Sequence, residues 1–221
     1  MLDEPETAVA LLAEIWPATP PDAGPDFVHR LSDIGAQLTG VLPTSLLLAK
    51  ALRRAAQSLR ANDQLHFAAI HGMRELAIHR QRDNEPDATA EALHDLAQTY
   101  RSLGVLHKVI GCADETLETY LLHHHQPGIA RTLTHLGALM IEAHRHDSAI
   151  TYLTRADKAY AQLPEPTTHA ESLVLLGQAQ YLSGDHHTAD RTLNRALSLI
   201  IRLDDRAARK VRALVAETRP A

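Results

Sequence analysis

The stretch Leu133-Thr134-His135-Leu136-Gly137-Ala138-Leu139-Met140 places large apolar residues at 133, 136 and 140 and a glycine at 137. On a helix of about 3.6 residues per turn, the spacings i, i+3, i+4 and i+7 fall on one stripe. The same order stands earlier as Leu93-x2-Leu96-Ala97-x2-Tyr100 and later as Leu173-x2-Leu176-Gly177. The small residue therefore falls at 97, 137 and 177, two intervals of 40 residues. A fixed period of this size marks stacked supersecondary units rather than one helical bundle.

Each unit reads as two helices. After the first stripe comes a turn, at Leu103-Gly104, over 143–146, or at Ser183-Gly184-Asp185. A second stripe follows, with Ala149, Leu153, Ala156 and Tyr160, or Ala189, Leu193, Ala196 and Ile200. In the first unit Val109, Ala113 and Thr116 hold these places less regularly. Small residues let two helix backbones approach, and the large ones fill the space above and below the crossing. Breaks between units are expected at Asp83-Asn84-Glu85-Pro86, Gln126-Pro127-Gly128 and Leu163-Pro164-Glu165-Pro166, where proline and glycine interrupt the helical pattern.

This pattern, a small residue eight positions into the first helix, a turn seven later, then Ala-x3-Leu-x2-Ala, resembles the tetratricopeptide repeat family. The resemblance covers about residues 90–200. It implies an all-α, right-handed superhelix of stacked antiparallel helix hairpins. A 40-residue period further resembles the repeat arrays that close bacterial, particularly actinobacterial, NB-ARC/AfsR-like STAND signalling ATPases. No Gly-x4-Gly-Lys-[Ser/Thr] phosphate loop occurs in this chain.

Outside the repeats the pattern decays. An offset of 41 sets Leu52, Ala55, Ala56 and Leu59 under Leu93, Leu96, Ala97 and Tyr100, so 44–86 reads as a degenerate repeat turning at Ala61-Asn62-Asp63. Residues 1–43 read as an irregular helical hairpin, with stripes Ala8, Leu11, Leu12, Ile15 and Phe27, Leu31, Ile34, Leu38. The run 16–25, rich in proline, reads as its loop. Three repeats fill 87–203. A capping helix in 204–221 buries Ala207, Ala208, Val211, Leu214 and Val215, for about ten or eleven helices in all.

Composition narrows the function. The 221 residues include 35 Ala and 34 Leu, which favours helix, and too few aromatics (4%) for an all-β domain. One cysteine excludes a disulfide scaffold. A net charge of −5 gives no general attraction to nucleic acid, and the basic residues near the C-terminus are interleaved with acids. The apolar runs are far shorter than the ~20 residues of a membrane span, and the acidic start is unlike a signal peptide, so a cytoplasmic location is expected.

The family resemblance implies a groove lined by first-helix residues. In the first unit these are Glu91, His94, Gln98, Arg101 and Ser102; in the second, Arg131, Thr134, Ala138, Ile141 and Glu142; in the third, Glu171, Val174, Gln178, Tyr181 and Leu182. This mix of donors, single charges and apolar contacts suits an extended peptide or a partner helix. A clamp for a C-terminal carboxylate is disfavoured by Glu171 and Leu175 at matching sites.

The fifteen histidines cluster at His123-His124-His125, His144-x-His146 and His186-His187. The triplet reads as a helix end. His146 and His186 lie 40 apart at the place where these repeats put an aromatic, so packing is expected rather than metal binding. Cys112 and His107, five apart, lie off one helical face and Cys112 sits in a packing stripe, so no catalysis, cofactor or metal is expected. The expected function is a non-catalytic protein or peptide-binding module in signalling or transcriptional regulation. The alternatives are a small-molecule or peptide-pheromone sensor and a homo-oligomeric scaffold, a homodimer for example, built on residues 1–43.

Overall fold

The connections between helices repeat one backbone geometry. A computed structural model describes residues 4–18, 25–82, 85–201 and 206–218. In it Asp63, Gly104, His124, His144 and Gly184 all take a left-handed φ, between 53° and 93°. At each, the N–H of that residue donates three residues back and the next N–H donates five back, as in Gly104 to Arg101 and Val105 to Tyr100. This pair of bonds satisfies carbonyls that a helix end would otherwise leave open. Asp63, Gly104, His144 and Gly184 stand 41, 40 and 40 residues apart, so the sequence period is also a backbone period.

The described residues form eleven helices and no strand: α1 (Glu4–Ala18), α2 (Pro25–Val41), α3 (Leu46–Ala61), α4 (Leu65–Arg80), α5 (Pro86–Ser102), α6 (Leu106–Leu122), α7 (Gln126–Glu142), α8 (His146–Tyr160), α9 (Pro166–Leu182), α10 (His186–Leu199) and α11 (Arg206–Thr218). Pro86 and Pro166 open their helices and Pro127 lies in the first turn of α7, where the missing N–H has no partner to lose.

Three local expectations are corrected. The histidine triplet ends a helix from outside it rather than as its last turn: α6 stops at Leu122, and His124, at φ 53°, closes it in a left-handed turn. Gln126-Pro127-Gly128 is not a break but the first turn of α7, capped by His125, whose Nδ1 accepts from the Gly128 N–H at 3.1 Å. In the expected loop 16–25, α1 runs on to Ala18 and α2 starts at Pro25; residues 19–24 lie outside the described part. Asp204 and Asp205, expected at the start of the cap, also lie outside it.

The chain divides into two compact units, residues 1–119 and 120–221, with the division inside α6. In the first unit the α3–α4 hairpin packs on α5, α1 packs on α3 and α2 on α4. Its core includes Val9, Leu12, Val28, Leu31, Leu48, Leu52, Leu59 and Ile78. Gly72 of α4 admits Leu96 of α5: a Cβ there would meet the leucine Cδ1 at 3.2 Å.

In the second unit the hairpins α7–α8 and α9–α10 stack through α8 and α9, and α11 packs on α9. The small residues sit at the crossings. A Cβ on Gly137 would come within 2.3 Å of Leu153 Cγ, and one on Gly177 within 2.7 Å of Leu193 Cδ2. Both leucines are fully buried, as are Ala149, Ala156, Ala189, Ala196 and Ile200. Ala208, Val211 and Val215 bury the inner face of α11.

Polar contacts link neighbouring hairpins at regular sequence separations of 35 to 39 residues. First helices are joined by Gln57–Asp95, Thr134–Ser172 and Glu171–Lys210. Second helices are joined by the bidentate pair Arg80–Glu115 and by Asp157–Arg195. The ladders fix register; the exposed pairs among them are each worth only a fraction of a kcal/mol.

Candidate functional site

The expected groove residues come from α5 in the first unit and from α7 and α9 in the second, and each unit presents its own face. In the first unit Glu91, His94, Gln98 and Arg101 are all exposed, at helical spacing along one side of α5. Gln98 Nε2 lies 3.4 Å from His94 Nε2. Glu91 faces α3, where Arg53 Nη1 meets it at 2.6 Å. Ser102 Oγ turns back to donate to the Gln98 carbonyl.

In the second unit Arg131, about one and a half turns into α7, and Glu142, its last residue, are exposed. Arg131 Nε donates to the Pro127 carbonyl. Thr134 is half-buried, and its hydroxyl contacts Ser172 Oγ of α9 at 3.0 Å, so it links helices. Glu171 accepts from Lys210 of α11 at 3.0 Å. Gln178 and Tyr181 are half-buried. The Tyr181 hydroxyl donates to Asp190 of α10 at 2.6 Å and its ring lies 5.1 Å from that of His186. Tyr181, the one aromatic of the expected set, is thus tied to its own hairpin.

The histidine clusters are packing or turn residues. His125 stacks on Tyr120 at 4.9 Å, His186 sits against Tyr181, and the rings of His144 and His146 meet edge to face at 6.3 Å. Among the described residues no group of three or more His, Cys, Asp or Glu is arranged to hold a metal ion. Cys112 is 7% exposed, and burial first, then Glu115, pushes its thiol up to about 11. A thiol held protonated at neutral pH is a poor nucleophile.

Two polar clusters escaped sequence reading. In the first unit Arg53 of α3 bonds Glu75 of α4 at 2.6 Å; Glu75 is only 1% exposed. Burial pulls the Arg53 guanidinium down, but its bonds to Glu91 and Glu75 outweigh this and hold it above its ordinary value. In the second unit His169, 8% exposed, contacts Asp157 at 2.7 Å and stacks on buried Tyr160. Burial raises the Asp157 carboxyl, yet hydrogen bonds from Arg195 and His169 bring it below its usual value. The signal for Glu75 was its spacing: it follows Ala68 by seven residues and so falls on the buried face of α4.

Residues 128–201 match the tetratricopeptide repeat family model. No curated protein matches the chain in sequence. Among solved structures it is similar to BtubC (BKLC) from P. vanneervenii, at 18% identity and TM-score 0.60, covering 99% of this chain and 86% of that one. It is similar to YrrB, a TPR protein with an unusual peptide-binding site, at 12% identity and TM-score 0.52, over 93% of this chain and 88% of that one. The Rap conjugation gene regulator of plasmid pLS20, solved in complex with the Phr* peptide, matches at 13% identity and TM-score 0.55, over 89% of this chain but only 55% of that one. At such identities the likeness is one of fold: tetratricopeptide-type stacking of helix hairpins, the all-α architecture read from the sequence. No described helix is long and apolar enough to cross a membrane.

Proposed function

We propose that the first-helix faces of this chain bind an extended segment or helix of a partner protein. The observation that carries this reading is the exposed row Glu91, His94, Gln98 and Arg101, at helical spacing along one side of α5. Arg131 and Glu142 offer further polar contacts on α7. Peptide recognition is the property named for two proteins of similar fold, YrrB and the Rap regulator. The single thiol, Cys112, is buried and pushed up to about 11, which argues against a covalent role for it. A regulatory role, within or beside a STAND-type signalling protein and in the cytoplasm, is the setting we infer from the resemblance of the repeat.

The reading is tested by replacing Arg101 and Arg131 with glutamate, separately and together. Partner capture should fall at least tenfold in the double variant. Undiminished capture by a folded double variant would end the groove assignment.

A second reading, self-association, is favoured by a separate observation. Leu11, Ile15, Phe27, Ile34 and Val41, all on α1 and α2, are 38–62% exposed. Phe27, Ile34 and Val41 repeat every seven residues along α2, the spacing with which one helix packs on another. Light scattering on the chain and on its Phe27→Ser, Ile34→Ser, Val41→Ser variant tests it. A dimer that the variant dissolves supports it, and a monomer in both removes it.

A further inference from the structure

In the first unit one guanidinium stands between a buried carboxylate and two that reach the face. Glu75 Oε1 accepts from Arg53 Nε at 2.6 Å; its Oε2 is buried with no hydrogen-bond partner among the described residues. Arg53 Nη1 lies 2.6 Å from Glu91, which is 63% exposed, and Nε lies 3.8 Å from Asp95 Oδ2, on a side chain 20% exposed. Three carboxylates against one guanidinium leave two negative charges in excess when all are ionised.

On α3, Arg60 Nη1 donates to the Asp95 backbone carbonyl at 2.9 Å, and among the described residues no second cation is bonded to Glu75. On α4 itself, His79 Nε2 is 3.9 Å from Glu75 Oε1 and its Nδ1 4.0 Å from Glu85 Oε2. Burial, and then Arg53, pull His79 below its ordinary value, so it is neutral at neutral pH. His71, one turn earlier, is lowered to about 3 by burial and Arg74. Arg74 is directed at α2, donating to the Ser32 carbonyl and sensing Asp33. Arg82 is paired with Glu85 at 2.9 Å. Among the described residues Arg53 is therefore the one cation bonded to Glu75, and the face shares it.

We propose that Glu75 is a proton-operated switch that sets how Arg53 is divided between the buried α3–α4–α5 junction and the exposed face of α5. When Glu75 is ionised, its Oε1 holds the guanidinium Nε inward. When it takes a proton from solvent, Arg53 keeps only Glu91 and Asp95 as charged partners, and the cluster goes from two excess negative charges to one. The face becomes less negative as pH falls through neutrality, weakening the hold on a cationic segment and strengthening it on an anionic one. Burial first, helped by Asp95 and Glu91 and opposed by Arg53, moves the Glu75 carboxyl up to about 7, within the range where such a switch operates. The switch does not depend on the groove reading; only its consequence for a partner does.

The test is a carboxyl-carbon NMR titration of the full chain, from about pH 4 to about pH 9. The Glu75 carbon should move with a midpoint near 7, and the Glu91 carbon should show a step at the same pH. In Glu75→Gln that step should vanish although His79 is still present. A Glu75 midpoint below about 5 overturns the proposal. So does a Glu91 step that survives in Glu75→Gln, which would assign it to His79. The wild-type midpoint is decisive even if the variant fails to fold.

Discussion

Burying a carboxylate as completely as Glu75 gives its proton a thermodynamic consequence. Its folded value, near 7, is above the unfolded value of 4.5, so the folded chain binds the proton more tightly. The contribution to stability is fully present below about 4.5 and is lost as pH rises through about 7. Glu75→Gln, neutral at every pH, should flatten the pH dependence of Tm in this window and should exceed the wild type above it. A wild-type Tm that does not fall between these values would contradict the burial argument. Removing the cation instead, in Arg53→Ala, leaves the carboxylate without its bond and should cost about 3–5 kcal/mol by denaturant unfolding at alkaline pH. Cys112 offers a simpler check: its thiol should resist alkylation in the native chain and react once the chain is unfolded. Neither Glu75 nor His169 was legible as a site, because a polar residue in an apolar stripe reads as an irregularity until its partner on another helix is known.

The helix pairs show why small residues recur at the crossings. Gly137 and Gly177 stand against Leu153 and Leu193 at distances where a methyl group has no room. Gly137→Ala should therefore destabilise by about 1–3 kcal/mol through overpacking, and adding Leu153→Ala should not sum with it, since that change opens the space the methyl needs. Thermal unfolding of the two single variants and the double variant decides this, and additive losses would contradict the crossing geometry. The turns make a prediction of opposite sign. His144 and Gly184 share one left-handed position, and a histidine pays a steric cost there that glycine does not. His144→Gly should raise stability by up to about 1 kcal/mol and Gly184→Ala should lower it. The helices and their order were legible because the 40-residue period is carried by side-chain size, which the crossing dictates. The junction at 123–125 was read only as a helix end, because three successive histidines do not say which of them takes the left-handed φ that falls on His124. In the candidate site the α5 row is exposed, but Glu91, like Thr134, Glu171 and Tyr181, is joined to a neighbouring helix, a contact the family spacing does not carry.

At the scale of the molecule, each hairpin buries its stripe only against its neighbours, so a helix packed on one side of a stack matters beyond its own size. α11 packs Ala208, Val211 and Val215 against the second unit, chiefly on α9, and Lys210 meets Glu171 at 3.0 Å. Val211→Asp should loosen α11 and bring faster amide exchange in α9 and α10, with α3 and α4 unchanged. The central claim is that the first-helix faces are where a partner is held. A photo-crosslinking residue placed at Gln98 or Arg131, both exposed on first helices, addresses it directly, with Glu118 and Arg191, exposed on second helices, as references. A partner crosslinked from 98 or from 131, and absent from 118 and 191, is the expected result. The same partner captured from 118 and 191, with none from the first-helix positions, would contradict the account.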